Sequence, residues 1–219
     1  MTNRREKHWE KLDNTANIFP VIAGENMTNT YRICAVLKED IQPELLQEAV
    51  DIVTPKFPGF NVRLRSGVFW YYLEENGKKA PTVVEESQYP CRLIHPNLNR
   101  SYLFHVTYYK KRINLEVFHA LADGMGGVTF LRELIYQYLR LAHEDLRAKY
   151  SDGLSDETSL NREDSYLRNF QKACKAPYKA GRAFLIKGEH LPYHGFGVIA
   201  GLIPLQEITQ VAKEKYHTT

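Results

Sequence analysis

The residues whose types and spacing can do chemistry stand together at Phe118-His119-Ala120-Leu121-Ala122-Asp123-Gly124, a His-x-x-x-Asp-Gly pattern. His119 is the candidate general base. Imidazole gains and loses its proton near neutral pH, and a base must be held where it can reach the proton it removes. Asp123, four residues on, is placed to lock the turn through an arginine or to contact the ring. Gly124 has no Cβ and so reaches backbone angles closed to alanine. A helix starting directly after it would bring unpaired N–H groups to the same spot. The same three positions also describe a packed or hydrogen-bonded histidine at a strand end, and spacing alone does not separate the two.

The elements that must position these residues can be read from the apolar pattern. Residues 101–109 and 113–118 alternate as two strands, with Leu103, His105 and Thr107 in the first and Ile113, Leu115 and Val117 in the second. Lys110-Lys111-Arg112 joins them. After Gly126-Gly127, the apolar residues Val128, Leu131, Leu134, Ile135, Tyr138 and Leu139 recur at helical spacing and predict a helix over about 125–145. Upstream, residues 4–20 read as a short helix and a leading loop ending at Pro20. Residues 28–37 read as a strand with Tyr31, Ile33, Ala35 and Leu37 on one face. Pro43 suits the first turn of a helix, whose apolar face runs from Leu45 to Val53 and which closes at Phe57-Pro58-Gly59. Strands are expected over 60–64 and 68–74, turning at Ser66-Gly67, and Asn76-Gly77 is a strong turn signal. Residues 82–85 suggest a further short strand.

Beyond residue 148 the pattern changes. Residues 149–197 read as a crossover or linker, with a polar loop, a helix over 161–175 and a Gly-rich irregular stretch. Residues 198–219 then open a new segment, with a strand over 197–203 and a helix over 205–216. The expected fold class is α/β (α+β), a mixed β-sheet flanked by helices, with units at 1–148, 149–197 and 198–219.

Composition sets bounds. The chain has 219 residues, 43% hydrophobic and 12% aromatic, enough for a sizeable core. Its 29 basic and 26 acidic residues leave a net charge of +3, too balanced to argue for nucleic acid. Cys34, Cys91 and Cys174 are scattered and odd in number, which gives neither a disulfide framework nor a zinc spacing. A reduced cytoplasmic setting fits that usage best. The charged N-terminal residues are followed by no apolar run of the signal-peptide kind, and no segment approaches the roughly 20 apolar residues that span a bilayer.

Further segments add a resemblance to the motif. The chain opens Trp9-Glu10-Lys11-Leu12-Asp13-Asn14-Thr15-Ala16-Asn17-Ile18-Phe19-Pro20. It continues with Phe57-Pro58-Gly59-Phe60-Asn61-Val62-Arg63-Leu64 and Gly67-Val68-Phe69-Trp70-Tyr71-Tyr72-Leu73-Glu74. In this order, and with the His119 motif, the segments resemble the chloramphenicol acetyltransferase-like superfamily of CoA-dependent acyltransferases. The nearest branches are the alcohol acetyltransferases and the condensation domains, and the likeness covers most of residues 8–140. The family motif is His-His-x-x-x-Asp-Gly, and Phe118 replaces its first histidine. The resemblance implies that His119 is the base, that Asp123 and Gly124 are structural, and that Arg63 on an early strand pairs with Asp123; Arg63 and Arg65 read equally well as a pair of exposed strand arginines. It also implies acyl transfer, acetyl above all, from acyl-CoA as co-substrate to a small-molecule alcohol, with no bound cofactor and no metal. The alternatives are a condensation-type enzyme with a carrier-protein donor, or a non-catalytic half-length lobe. Family members are about twice this length, and their second lobe carries an Asp-Phe-Gly-Trp-type motif that does not occur here. The expectation is therefore an N-terminal lobe, with a second lobe or a homo-oligomer completing the site.

Other candidates are weaker. His190 and His194 are four apart, but Pro192 lies between them and argues against a helical metal pair. Gly124-Met125-Gly126-Gly127 lacks the ending of a P-loop and reads better as small residues packing a helix on a sheet. Trp70 and Tyr72 alternate onto one face, as core or as the lining of an acceptor channel. Lys110-Lys111-Arg112 is either a solvated hairpin tip or a contact for the phosphates of CoA.

Overall fold

A computed structural model describes residues 8–149, except 14 and 96, and residues 182, 185, 187–189, 191–192 and 195–218. The chain forms two compact units, Met1–Cys174 and Lys175–Thr219. The expected helix over 161–175, the His190/His194 pair and Cys174 lie outside the described residues.

The first unit is built on a four-stranded sheet. Its strands are β2 (Thr30–Val36), β5 (Val84–Glu85), β6 (Phe104–Tyr109) and β7 (Arg112–Phe118), in the order β2-β7-β6-β5. All pairings are antiparallel except β5 with β6, so the sheet is mixed. β7 lies in the middle, and six of its seven residues, Ile113 to Phe118, are buried at 5% exposure or less. The two helices on one face are α2 (Pro43–Lys56) and α3 (Gly124–Ala142). The register puts Tyr31, Val117 and Phe104 abreast, then Ile33, Leu115 and Val106, both rows on the helix-facing side. Phe130 of α3 is fully buried there, stacked on Phe60 at 4.4 Å and edge-on to Phe104 at 5.1 Å. This apolar face is why β2, β6 and β7 alternate as they do.

A second, smaller sheet holds β1 (Trp9–Lys11), β4 (Tyr71–Glu75) and β3 (Val62–Ser66) in that order, all antiparallel. Leu12, Ala16, Ile94, Leu103, Phe118 and Ala120 form a separate apolar cluster, against which Leu64, Tyr71 and Leu73 pack. The mixed α/β class read from sequence is the class observed.

Several local expectations are corrected. Among the described residues of the 4–20 stretch, Trp9–Lys11 is a strand, and the helix is the short α1 (Ile18–Ile22), with Pro20 inside it. The strand expected from 68 begins at Tyr71. Val68, Phe69 and Trp70 sit at the turn and are 89%, 86% and 52% exposed, so Trp70 is not core. The single helix over 125–145 ends at Ala142. His143 is extended and caps it, and α4 (Glu144–Lys149) follows. Residues 197–203 form no strand, while the helix over 205–216 is observed as α5 (Leu205–Tyr216). An apolar run carries the same strand signal with or without a neighbour to pair with.

Candidate active site

His119 follows β7 directly. The β2–β7 ladder pairs Thr30 with Phe118, and one step further the His119 N–H donates to the carbonyl of Asn29 at 2.8 Å. Asn29 takes a left-handed conformation, φ 50°, which asparagine tolerates better than most residues. The chain turns at once, with Leu121 N–H donating to Phe118 O at 2.8 Å. The backbone of His119 is thus fixed by a sheet hydrogen bond, while its side chain is exposed.

The ring has aromatic neighbours. Phe19 of α1 stacks on it, centroids 4.7 Å apart and planes 21° apart. Tyr31 of β2 meets it edge-on at 5.2 Å and 65°. Among the described residues neither ring nitrogen has a hydrogen-bond partner. An imidazole held by aromatic contacts keeps both nitrogens for a ligand.

Asp123 caps α3. Its Oδ1 accepts from the Gly126 N–H at 2.8 Å, and its main-chain oxygen accepts from the Gly127 N–H at 3.0 Å. A side-chain acceptor at this position satisfies one of the orphan donors of the first turn. The partner expected for its carboxylate is elsewhere: Arg63 Nε donates to Glu74 Oε2 at 2.7 Å across the β3–β4 pair. Among the described residues no ion pair joins Arg63 to Asp123. The family resemblance implied the pair, but cross-strand register gave the arginine a nearer carboxylate.

Gly124 is also corrected. It has no positive φ, and a Cβ built on it would touch nothing within 4 Å. The glycine with a steric reason is Gly127, where a Cβ would lie 2.7 Å from Tyr31 Oη and 3.0 Å from Ile33 Cδ1. The reading of this glycine run as close helix–sheet packing therefore holds at Gly127.

Tyr31 lies beside the motif although no local pattern in the sequence marks it as a site residue. Its hydroxyl hydrogen bond is shared by the main-chain oxygens of Asp123, at 2.6 Å, and Ala122, at 3.1 Å. Burial first, and the Asp123 charge second, push the phenol's pKa well above its ordinary value, so it stays a donor. The only sequence signal was its place on the inward face of β2.

The far face of the sheet carries the remaining charged chemistry. Arg32 bridges Glu116, at 2.8–2.9 Å, and Glu86, and Arg112 also reaches Glu86. Burial alone would raise the Glu86 pKa, but the hydrogen bonds and charges of Arg32 and Arg112 hold it below its ordinary value. Arg112 is thus committed to an ion pair, and Lys110, at φ 50°, turns the hairpin with its ammonium over Tyr109. Cys91 donates its N–H to Glu116 Oε1 at 2.6 Å, and burial and that carboxylate raise its thiol pKa, the reverse of an activated nucleophile. A cavity of about 280 Å³, lined by Arg32, Glu86, Glu116, His105 and Arg92, lies here and is not lined by His119. No helix among the described residues is long and apolar enough to cross a membrane.

The sequence matches no protein-family model and no curated protein. Solved structures do match, at low identity. Polyketide synthase associated protein 5 from Mycobacterium tuberculosis is 17% identical over 59% of this chain and 32% of its own, with a TM-score of 0.42. The tallysomycin biosynthesis protein TlmII is 12% identical over 60% and 38%, TM-score 0.47. The starter condensation domain of rhizomide synthetase RzmA is 14% identical over 57% and 39%, TM-score 0.41. The matched region of this chain thus spans 32–39% of the length of these three structures, and condensation domains are among what it is similar to.

Proposed function

We infer that this chain supplies the histidine-bearing lobe of a CoA-dependent acyltransferase, with His119 as general base toward an alcohol. The observation that carries the reading is the imidazole itself. Its backbone is pinned at the β7–α3 junction, its ring is flanked by Phe19 and Tyr31, and its nitrogens are open. The His-x-x-x-Asp-Gly pattern and the segments before it resemble the same superfamily.

In this mechanism His119 takes the hydroxyl proton as the oxygen attacks the thioester carbonyl. The tetrahedral intermediate collapses, the C–S bond breaks, and the proton passes to the leaving thiolate. No acyl-enzyme forms. Asp123 acts by closing the first turn of α3 and so fixing the loop that carries the base. General-base assistance supplies on the order of 10²–10⁴-fold, and alignment of the two substrates supplies much of the rest.

The test is thiol release from acetyl-CoA in the presence of short alcohols, by the whole protein and by His119→Ala. The expected result is a fall of about 10²–10⁴-fold, the range of a lost general base. Unchanged turnover would remove His119 from this role. The condensation-type rival is separated by offering the acyl group on a phosphopantetheine carrier, and the non-catalytic one by absence of turnover with either donor.

A further inference from the structure

We propose that Tyr31 is the positioning residue of the site, holding His119 through a wedge that only a glycine at 127 permits. The proposal rests on the reading of His119 as base. Three contacts converge on this one side chain. Its ring edge abuts the imidazole at 5.2 Å. Its hydroxyl ties down the oxygens of Ala122 and Asp123, which end the turn that begins at His119. Its Oη and Cε2 fill the space where a Cβ on Gly127 would stand, at 2.7 and 3.1 Å.

The geometry is that of a spacer between two fixed bodies. β2 is fixed by seven consecutive pairings with β7. α3 is fixed by the buried Phe130, Leu131 and Leu134. The His119–Asp123 turn lies between them. Its side-chain tie to the helix is the Asp123 cap, and its side-chain tie to β2 is Tyr31. Without the hydroxyl the turn keeps its ends but loses its lateral hold. With a methyl at 127 the phenol must move, and the stacked imidazole moves with it. Phe19, on its own short helix, then stacks on a ring that has no single orientation.

A control is built into the same fold. Tyr138, buried where Tyr31 is half-buried, also has its hydroxyl on main chain, accepting from the Gln42 N–H at 3.0 Å, but it contacts α2's start rather than the motif. Tyr31→Phe and Tyr138→Phe each delete one such bond and keep the ring, so general loosening should follow from both and misplacement of His119 from the first alone.

The experiment follows the His119 ring C–H resonances, assigned with His119→Gln, in the full chain and in Tyr31→Phe, Gly127→Ala and Tyr138→Phe. Tyr31→Phe and Gly127→Ala are expected to shift or broaden them, with Tyr138→Phe leaving them in place. In the thiol-release assay Tyr31→Phe should lower kcat about 10-fold with KM within about twofold, as for a misaligned base. Resonances unmoved in Tyr31→Phe, or moved as far by Tyr138→Phe, overturn the proposal. Resonances that move in a protein with no turnover uphold the wedge and discard the acyltransfer reading, so the two failures are told apart.

Discussion

The two faces of the four-stranded sheet solve the same burial problem with opposite chemistry. Toward the helices, Tyr31, Ile33, Phe104, Val106, Ile113, Leu115 and Val117 close on α2 and α3 as an apolar layer. On the far face the alternate positions of the same strands are Arg32, His105, Asn114 and Glu116, joined by Glu86 from the segment beside them. Each face has a histidine. His119 stands at the strand end, exposed, with its nitrogens open. His105 sits within β6, half-buried, facing Glu116 and Arg92; burial holds its pKa below the ordinary imidazole value, with Glu116 opposing and Arg92 adding to the shift. The difference teaches that a reactive ring is made here by leaving a strand end uncovered, while the charges deeper in the fold serve each other.

The comparison can be broken at its strongest point first. Phe130→Ala empties the centre of the apolar layer, where four aromatic rings meet. It should cost about 3–5 kcal/mol in denaturant unfolding, the range for a fully buried Phe, and the loss should not depend on salt. A loss below about 1 kcal/mol would mean that this layer is not the stabilising one.

Arg32→Met tests the other face. It leaves Glu116 with the Cys91 N–H and Glu86 with Arg112 and Asn114. The cost should be about 2–3 kcal/mol, below the 3–5 of a wholly buried broken pair because water still reaches the site. Added Glu116→Leu should recover much of it. A cost unchanged by that second substitution would contradict the ion-network account.

The smallest effect is a pH dependence. His105 is held neutral, so between its lowered folded value and about 6.5 the unfolded chain binds more protons than the folded one. Stability is then fully present above pH ~6.5 and falls as the pH drops through that window. His105→Phe should flatten this part of the stability–pH curve, and an unchanged slope would show that His105 does not titrate between the two states.

Legibility from sequence followed the range of the contacts. The helix over 205–216 and the strand ending at Phe118 were readable because their signal is a period carried by adjacent residues. The shift from 68 to 71, with Trp70 exposed, was not, because a strand end depends on where its partner stops: β4's ladder closes with Ser66 opposite Tyr71. In the site, His119 and Asp123 were legible as a local pattern. Arg63's commitment to Glu74 and Tyr31's reach across 92 positions to Asp123 were not, since both are set by register and packing. Gly124 drew attention as part of the motif, while the glycine that sterics require is Gly127, whose need is visible only with β2 beside it.

The central claim, that the open ring is the working one, is tested most directly by comparing the two histidines in a single turnover assay. Thiol release from acetyl-CoA with an alcohol acceptor should fall about 100-fold or more in His119→Ala, as for a lost general base, and stay within about twofold in His105→Phe. Equal rates for both variants would contradict the account.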